Sequence, residues 1–136
     1  MTPTDIGAQV RVVTGVAPQA SAAGAVNGSA IERVGFDSCV LHVRAGNATG
    51  TPTALTLDAK LQDSADGSSG WADITGAAIT QIAAASGEAH VDVNLRGAKK
   101  YIRVVQTVAF TGGTTPTLNH TSTVTLGGAV IKPTSY

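Results

Sequence analysis

The chain has 136 residues, nine basic against nine acidic for a formal net charge of zero, and a single cysteine. This length suits one domain, large enough to bury roughly two-thirds of its unfolded-chain surface without staples. Zero net charge excludes the basic field that nucleic acid or an anionic membrane would need, and one cysteine excludes an internal disulfide.

Charged residues make up 13% of the chain, against about 25% in ordinary soluble domains, and the 16 glycines are nearly double the usual share of about 7%. So little charge at zero net charge favours association, and much of the surface is expected to be covered by partners. No apolar run approaches the roughly 20 residues of a membrane span. Met1–Asp5 lacks the basic start and apolar run of a signal peptide, so folding in a reducing cytoplasm is the expectation. The asparagines of the three Asn-x-Ser/Thr sequons, Asn27, Asn47 and Asn119, then read as loop chemistry and not as glycan sites.

In chain order, residues 1 to 8 read as an arm, with Pro3 and Gly7 opposing regular structure, and Gln9 to Val13 as a short strand. Thr14 to Ser29 holds almost nothing large to bury and is interrupted by Pro18, Gly24 and Gly28, which predicts an extended loop. Strands are predicted at Ala30 to Val34 and at Ser38 to Ala45, followed by a loop over Gly46 to Thr53. The first half of Ala54 to Trp71 alternates cleanly. Leu55, Leu57, Ala59 and Leu61 share one face and Thr56, Asp58, Lys60 and Gln62 the other, the signature of a half-buried strand.

The run Ser64-Ala-Asp66-Gly67-Ser-Ser-Gly70-Trp71 reads as a tight reversal, its Asp-Gly tolerating the backbone a turn needs. The spacing of Ser64, Asp66 and Trp71 resembles an Asp-box hairpin with its second glycine displaced, a structural motif. Short strands follow at Ala72 to Thr75 and Ala77 to Ala84. Ala89 to Leu95 alternates again, and Lys100 to Phe110 is the longest β-prone segment, with Ile102, Val104, Val108 and Phe110 on one face and Val105 on the other. Thr117 to Leu126 is the last strand and Ile131 to Tyr136 a tail. Thr51-Pro52-Thr53 and Thr115-Pro116-Thr117 re-enter their strands in the same way, a weak internal echo.

Eight or nine short strands without a helix predict an all-β, two-sheet β-sandwich, with jelly-roll and immunoglobulin-like topologies both open. The expected division is an arm and loop over 1–29, the sandwich over 30–128 and a tail over 129–136.

The residues offer little chemistry. No Gly-x-Ser-x-Gly elbow accompanies His42, His90 or His120. His120 shares a face with Leu118, Val124 and Leu126 and reads as a core histidine, whereas His42, beside Arg44, faces solvent or a partner. His90 and Asp92 sit two apart on one strand face, but a third metal ligand is missing. Asp66 is expected to bond the N–H groups of its own turn instead of calcium. Cys39, in the run Cys39-Val40-Leu41, reads as a buried small hydrophobe. No catalytic residue, cofactor or metal is therefore expected, and the chain reads as a non-enzyme. Lys99 and Lys100 with Arg96 and Arg103 form the densest basic cluster.

The runs LTLDAKLQDSADGSSGWADITGAAITQI, VDVNLRGAKKYIRVVQTVAF and TVTLGG resemble small structural proteins encoded in the head-gene clusters of tailed bacteriophages, over roughly Ser38 to Gly128. The resemblance implies a capsid decoration, or cement, protein made in the host cytoplasm. It would sit on the outer surface of the virion shell and join neighbouring major capsid subunits, commonly as a trimer, without nucleic-acid or membrane partners. On that reading the arm (Thr2, Pro3, Thr4, Ile6), the loop over 14 to 29, the strand entry Lys99, Lys100 and Tyr101, and the tail (Ile131, Tyr136) are the expected partner contacts. The alternatives are a phage tail or head–tail connector component and a carbohydrate-binding module that stacks sugars on Trp71.

Overall fold

The computed structural model describes residues 6–129. A single 3-10 turn, Ile6–Ala8, precedes nine strands. These are β1 (Arg11–Ser21), β2 (Gly24–Asn27), β3 (Ile31–Glu32), β4 (Phe36–Thr49), β5 (Ala54–Ser64), β6 (Ala72–Ala78), β7 (Glu88–Asn94), β8 (Tyr101–Thr111) and β9 (Thr117–Ala129). One sheet has the order β1-β9-β4-β7. The other has the order β2-β8-β5-β6, with β3 also on β8.

Because β2 pairs with Val105–Val108 and β3 with Tyr101–Ile102, the two act as one broken strand along β8. Counted so, the strands pair as nested antiparallel couples: first with last, second with next to last, and so inward to β5 with β6. That is the jelly-roll arrangement of a double-sheet sandwich, which resolves the topology that periodicity left open.

The alternation read in β5 places its residues as expected: Leu55, Leu57, Ala59 and Leu61 are buried. They face Cys39, Leu41, Val43 and Ala45 of β4 and Leu118, Val124 and Leu126 of β9 in one aliphatic cluster, completed by Ile102, Val104 and Val108 of β8. Apolar area removed from water in this layer is the main term holding the sheets together.

Four expectations are corrected. Arg11 to Asn27 belongs to the sheets, so the sandwich begins well before residue 30 and most of the predicted loop over 14 to 29 is strand. The small residues misled because here they are a packing requirement. A Cβ on Gly15 would fall 2.6 Å from both Ser122 Oγ and Val104 Cγ2, and one on Gly28 would fall 2.2 Å from the Gly15 carbonyl oxygen. The first strand can lie this close to β8 and to the segment after β2 only because nothing projects there.

Second, β4 continues through the predicted loop to Thr49, by way of a bulge between Ala45 and Ala48. Third, the strand expected at Ala30 to Val34 shrinks to Ile31–Glu32, because the chain turns at Arg33 to Phe36 with Gly35 at φ +94°. Fourth, the strand expected at Ala77 to Ala84 ends at Ala78. Beyond it Ile79 and Ile82, both buried, hold on to β5 through backbone hydrogen bonds with Ala59 and Leu57, and the Gln81 amide donates to the Asp58 carboxylate.

Candidate functional site

The polar residues that could carry chemistry lie apart. His42 and His90 face each other across β4 and β7 on the outer side of their sheet. His42 Nε2 is 3.5 Å from Glu88, which also draws Arg44 at 3.6 Å. His120 lies inside the sandwich as expected, its Nε2 2.8 Å from Ser21 Oγ, and burial lowers its pKa. Among the described residues no three His, Cys, Asp or Glu side chains converge as metal ligands. Cys39 is buried, and desolvation, aided by the charge of Asp92, pushes its thiol up to about 12. A thiol so placed stays protonated and is a poor nucleophile. A shallow groove of about 740 Å³, open to solvent, runs past Val10, Ser38, Val40, Asn94 and Gly127.

The reversal after β5 is a hydrogen-bonded knot. The buried Ser64 hydroxyl accepts the N–H groups of Asp66 and Gly67 and donates toward the Ser69 carbonyl. The Asp66 carboxylate takes the N–H groups of Ser68 and Ser69 at 3.0 and 2.9 Å and the Ser69 hydroxyl at 2.9 Å. These donors hold its pKa well below the usual carboxylate range. The carboxylate is thus spent within the turn, in keeping with the role read from its spacing.

The aromatic side chains are engaged as well. Arg103 lies 4.4 Å over the Trp71 ring while its guanidinium forks onto Gln62 Oε1 at 2.8 and 3.0 Å. Gln62 in turn bonds Asp73, which pairs with Lys60 at 2.9 Å. Gly67, at φ +78°, lies so close to the Tyr101 ring that a Cβ there would sit 3.1 Å from it. Lys100 stands 5.4 Å from the same ring's centre.

Sheet edges, the usual place for a partner strand, are guarded. β1 carries Pro18 and two bulges, β2 is four residues long, and β6 is bulged with Gly76 at positive φ. Along β7 the exposed positions are Glu88, His90, Asp92 and Asn94. Each is a device that discourages strand addition.

The ends of the sandwich remain. At one of them β3 meets the start of β8 and β4 meets the end of β9. This brings Lys99, Lys100 and Tyr101 to the end where the chain enters and where it leaves at Ala129. Arg33, which the sequence reading passed over, clasps this end: Nε donates to the Lys99 carbonyl at 3.0 Å, and the two Nη groups reach the Ala98 and Phe36 carbonyls. Asp63 holds the Lys99 N–H at 3.1 Å. Arg96 pairs with Asp37 at 3.5 Å, and Arg103 leaves the predicted basic cluster for Trp71. Among the described residues the exposed large hydrophobic side chains, Ile6 (68%), Val34 (58%) and Val12 (54%), belong to segments that enter or border this end. Of the expected contacts, the structure therefore groups Ile6, Lys99, Lys100 and Tyr101, while Thr2, Pro3, Thr4, Ile131 and Tyr136 lie outside the described residues.

No family model matches the chain. No curated protein matches it. Among solved structures the chain is similar to the SPBc2 prophage-derived protein YomS, at a TM-score of 0.53 and 10% identity over 86% of this chain and 91% of that one. It is also similar to the VP2 protein of infectious bursal disease virus (TM-score 0.47, 12% identity, 88% of this chain and 32% of that one). A third neighbour is the C-terminal family 22 carbohydrate-binding module of Clostridium thermocellum Xyn10B (TM-score 0.45, 15% identity, 90% of this chain and 84% of that one). The likeness to YomS shows a shared fold.

Proposed function

We propose that this chain is a non-enzymatic structural protein of a tailed-phage particle, a cement that binds the outer surface of the shell and joins neighbouring major capsid subunits. The observation that carries this reading is the end just described. Arg33 ties the turn bearing exposed Val34 to the strand entry Lys99–Tyr101, and exposed Ile6 and Val12 lie on the segment by which the chain enters the same end. Large apolar side chains exposed together mark a contact surface, whereas the sheet edges are guarded and the grooves are shallow. The likeness of its fold to a prophage protein supports the same reading.

A protein that binds only the assembled shell stabilises it by mass action. Self-association as a trimer on the shell is part of the proposal. Two measurements test it. Quantitative gels of purified particles should give hundreds of copies per virion, where a connector or tail ring would give about six or twelve by symmetry. Deleting residues 1–8 should weaken binding to empty shells and leave the melting temperature of the free domain nearly unchanged. Deletion that unfolds the domain yet spares binding overturns the assignment of the arm.

A further inference from the structure

The other end of the sandwich differs in kind. It is built from the β1–β2 corner, the β4–β5 and β8–β9 loops and the segment before β7, brought together by the pairings Ser21 with Leu118, Thr49 with Thr117, and Ala54 with Thr111. Residues 17–25, 46–54 and 109–119 contain no charged side chain at all. Further along β4 and β7, Arg44 and Glu88 pair with each other.

Two of its loops interlock as a reciprocal pair. Thr114 N–H donates to the Gly50 carbonyl at 2.8 Å, Thr53 N–H to the Thr111 carbonyl at 2.7 Å, and the hydroxyls of Thr49 and Thr117 meet at 2.6 Å. Gly50 packs on Pro116, where a Cβ would lie 2.7 Å from its Cα, and Gly113 packs on Pro52, where a Cβ would lie 2.9 Å from its Cα. The echo between Thr51-Pro52-Thr53 and Thr115-Pro116-Thr117 is the sequence trace of this clasp.

Thr51 and Thr115, each directly before its proline, have φ of +48° and +40°. A β-branched residue in the left-handed region is an outlier, and such strain survives only where its surroundings over-determine it. Both threonines are exposed, so the clasp holds two strained residues outward on a rigid tip.

We propose that this tip is a second docking end, seated on an uncharged protein surface of a neighbouring shell subunit. The inference rests on the cement reading and names the second contact that joining two subunits requires. Three features select that occupant. Absence of charge lets the tip be covered without desolvating ions, which a charged seat would not match. Interlocking means that little is left to order on binding. Strands of eleven residues (β1, β5, β8) hold the two ends about 35 Å apart, at ~3.3 Å per residue, so one molecule can touch two subunits.

The test uses empty shells of the major capsid protein encoded in the same genome, titrated with the full chain and with the double variants T51K/T115K and T51D/T115D. Neither variant adds a β-branched residue at positive φ, so their melting temperatures should stay within a few degrees of the wild type. Both should bind shells at least tenfold more weakly, alike for either sign, because the loss comes from burying charge. Hydroxyl-radical footprinting of the wild-type chain on shells should protect Pro52 and Pro116, a readout that needs no variant. If the wild type binds while both variants bind equally well and the prolines stay reactive, the tip is not a docking end and the cement reading stands. Loss with one sign alone means a charged seat and overturns the uncharged occupant. If the wild type itself does not bind, both readings fall together.

Discussion

Replacing Gln106 with methionine should make the domain more stable. Gln106 sits on the inner face of β8 between Val26 of β2 and Ala59 of β5, with no exposed surface. Neither its amide nitrogen nor its amide oxygen has a hydrogen-bond partner among the described residues. A buried amide without partners costs about 1–3 kcal/mol relative to an apolar group of its shape. Methionine is similar in length, unbranched and adaptable, so the cavity need not change. The expected gain is therefore about 1–3 kcal/mol. Unfolding entropy of roughly 2.1 cal/mol/K per residue gives about 0.29 kcal/mol/K for a chain of 136 residues. The melting temperature should then rise by roughly 3–10 °C. Thermal melts followed by circular dichroism, with urea titrations to check that the m-value is unchanged, measure the effect. A Gln106→Met variant that melts below the wild type would refute the reasoning, because it would mean that a buried water bonds the amide and is lost with it.

Further outcomes follow from other buried groups. Gly28→Ala should destabilise by about 1–3 kcal/mol or more, since the new methyl meets the Gly15 backbone and not a side chain that can swing away; a wild-type urea midpoint would contradict that packing. The pKa of His120 is lowered by burial, so the unfolded chain binds its proton first, and stability should fall as pH drops below about 6.5, above the carboxylate range. His120→Gln should flatten the melting temperature across that window, and an unchanged slope would assign it to another group. Cys39 should stay unreactive toward a thiol reagent at pH 8 until the domain unfolds; rapid labelling of the native protein would show that the thiol is accessible.

How much of this was legible beforehand differs by element. Period-two alternation announced β5, β7 and β9 because each buries one face, and the inner face of β8 was read the same way. The hydrogen-bonded turn was legible because Ser64, Asp66 and Gly67 act on their own neighbours in sequence. The stretch from Thr14 to Ser29 was misread because its fitness for the sheets lies in what it lacks, and the obstacles Gly15 must avoid, Ser122 and Val104, lie far along the chain in β9 and β8. Arg33 gave no local sign of its role either, since two of the carbonyls it clasps belong to Ala98 and Lys99.

From residues alone came the class of fold, the inner faces of its main strands, the absence of any local catalytic signature and the low charge. These follow from periodicity and composition, which act between near neighbours or on the whole surface. Only the folded chain decided the jelly-roll pairing, the gathering of Ile6, Val34 and Lys99–Tyr101 at one end, and the clasp of Gly50 and Gly113 at the other. Nested antiparallel pairing joins strands far apart in the chain, first with last and second with next to last, so which loops become neighbours is a property of the closed sandwich and of no segment within it.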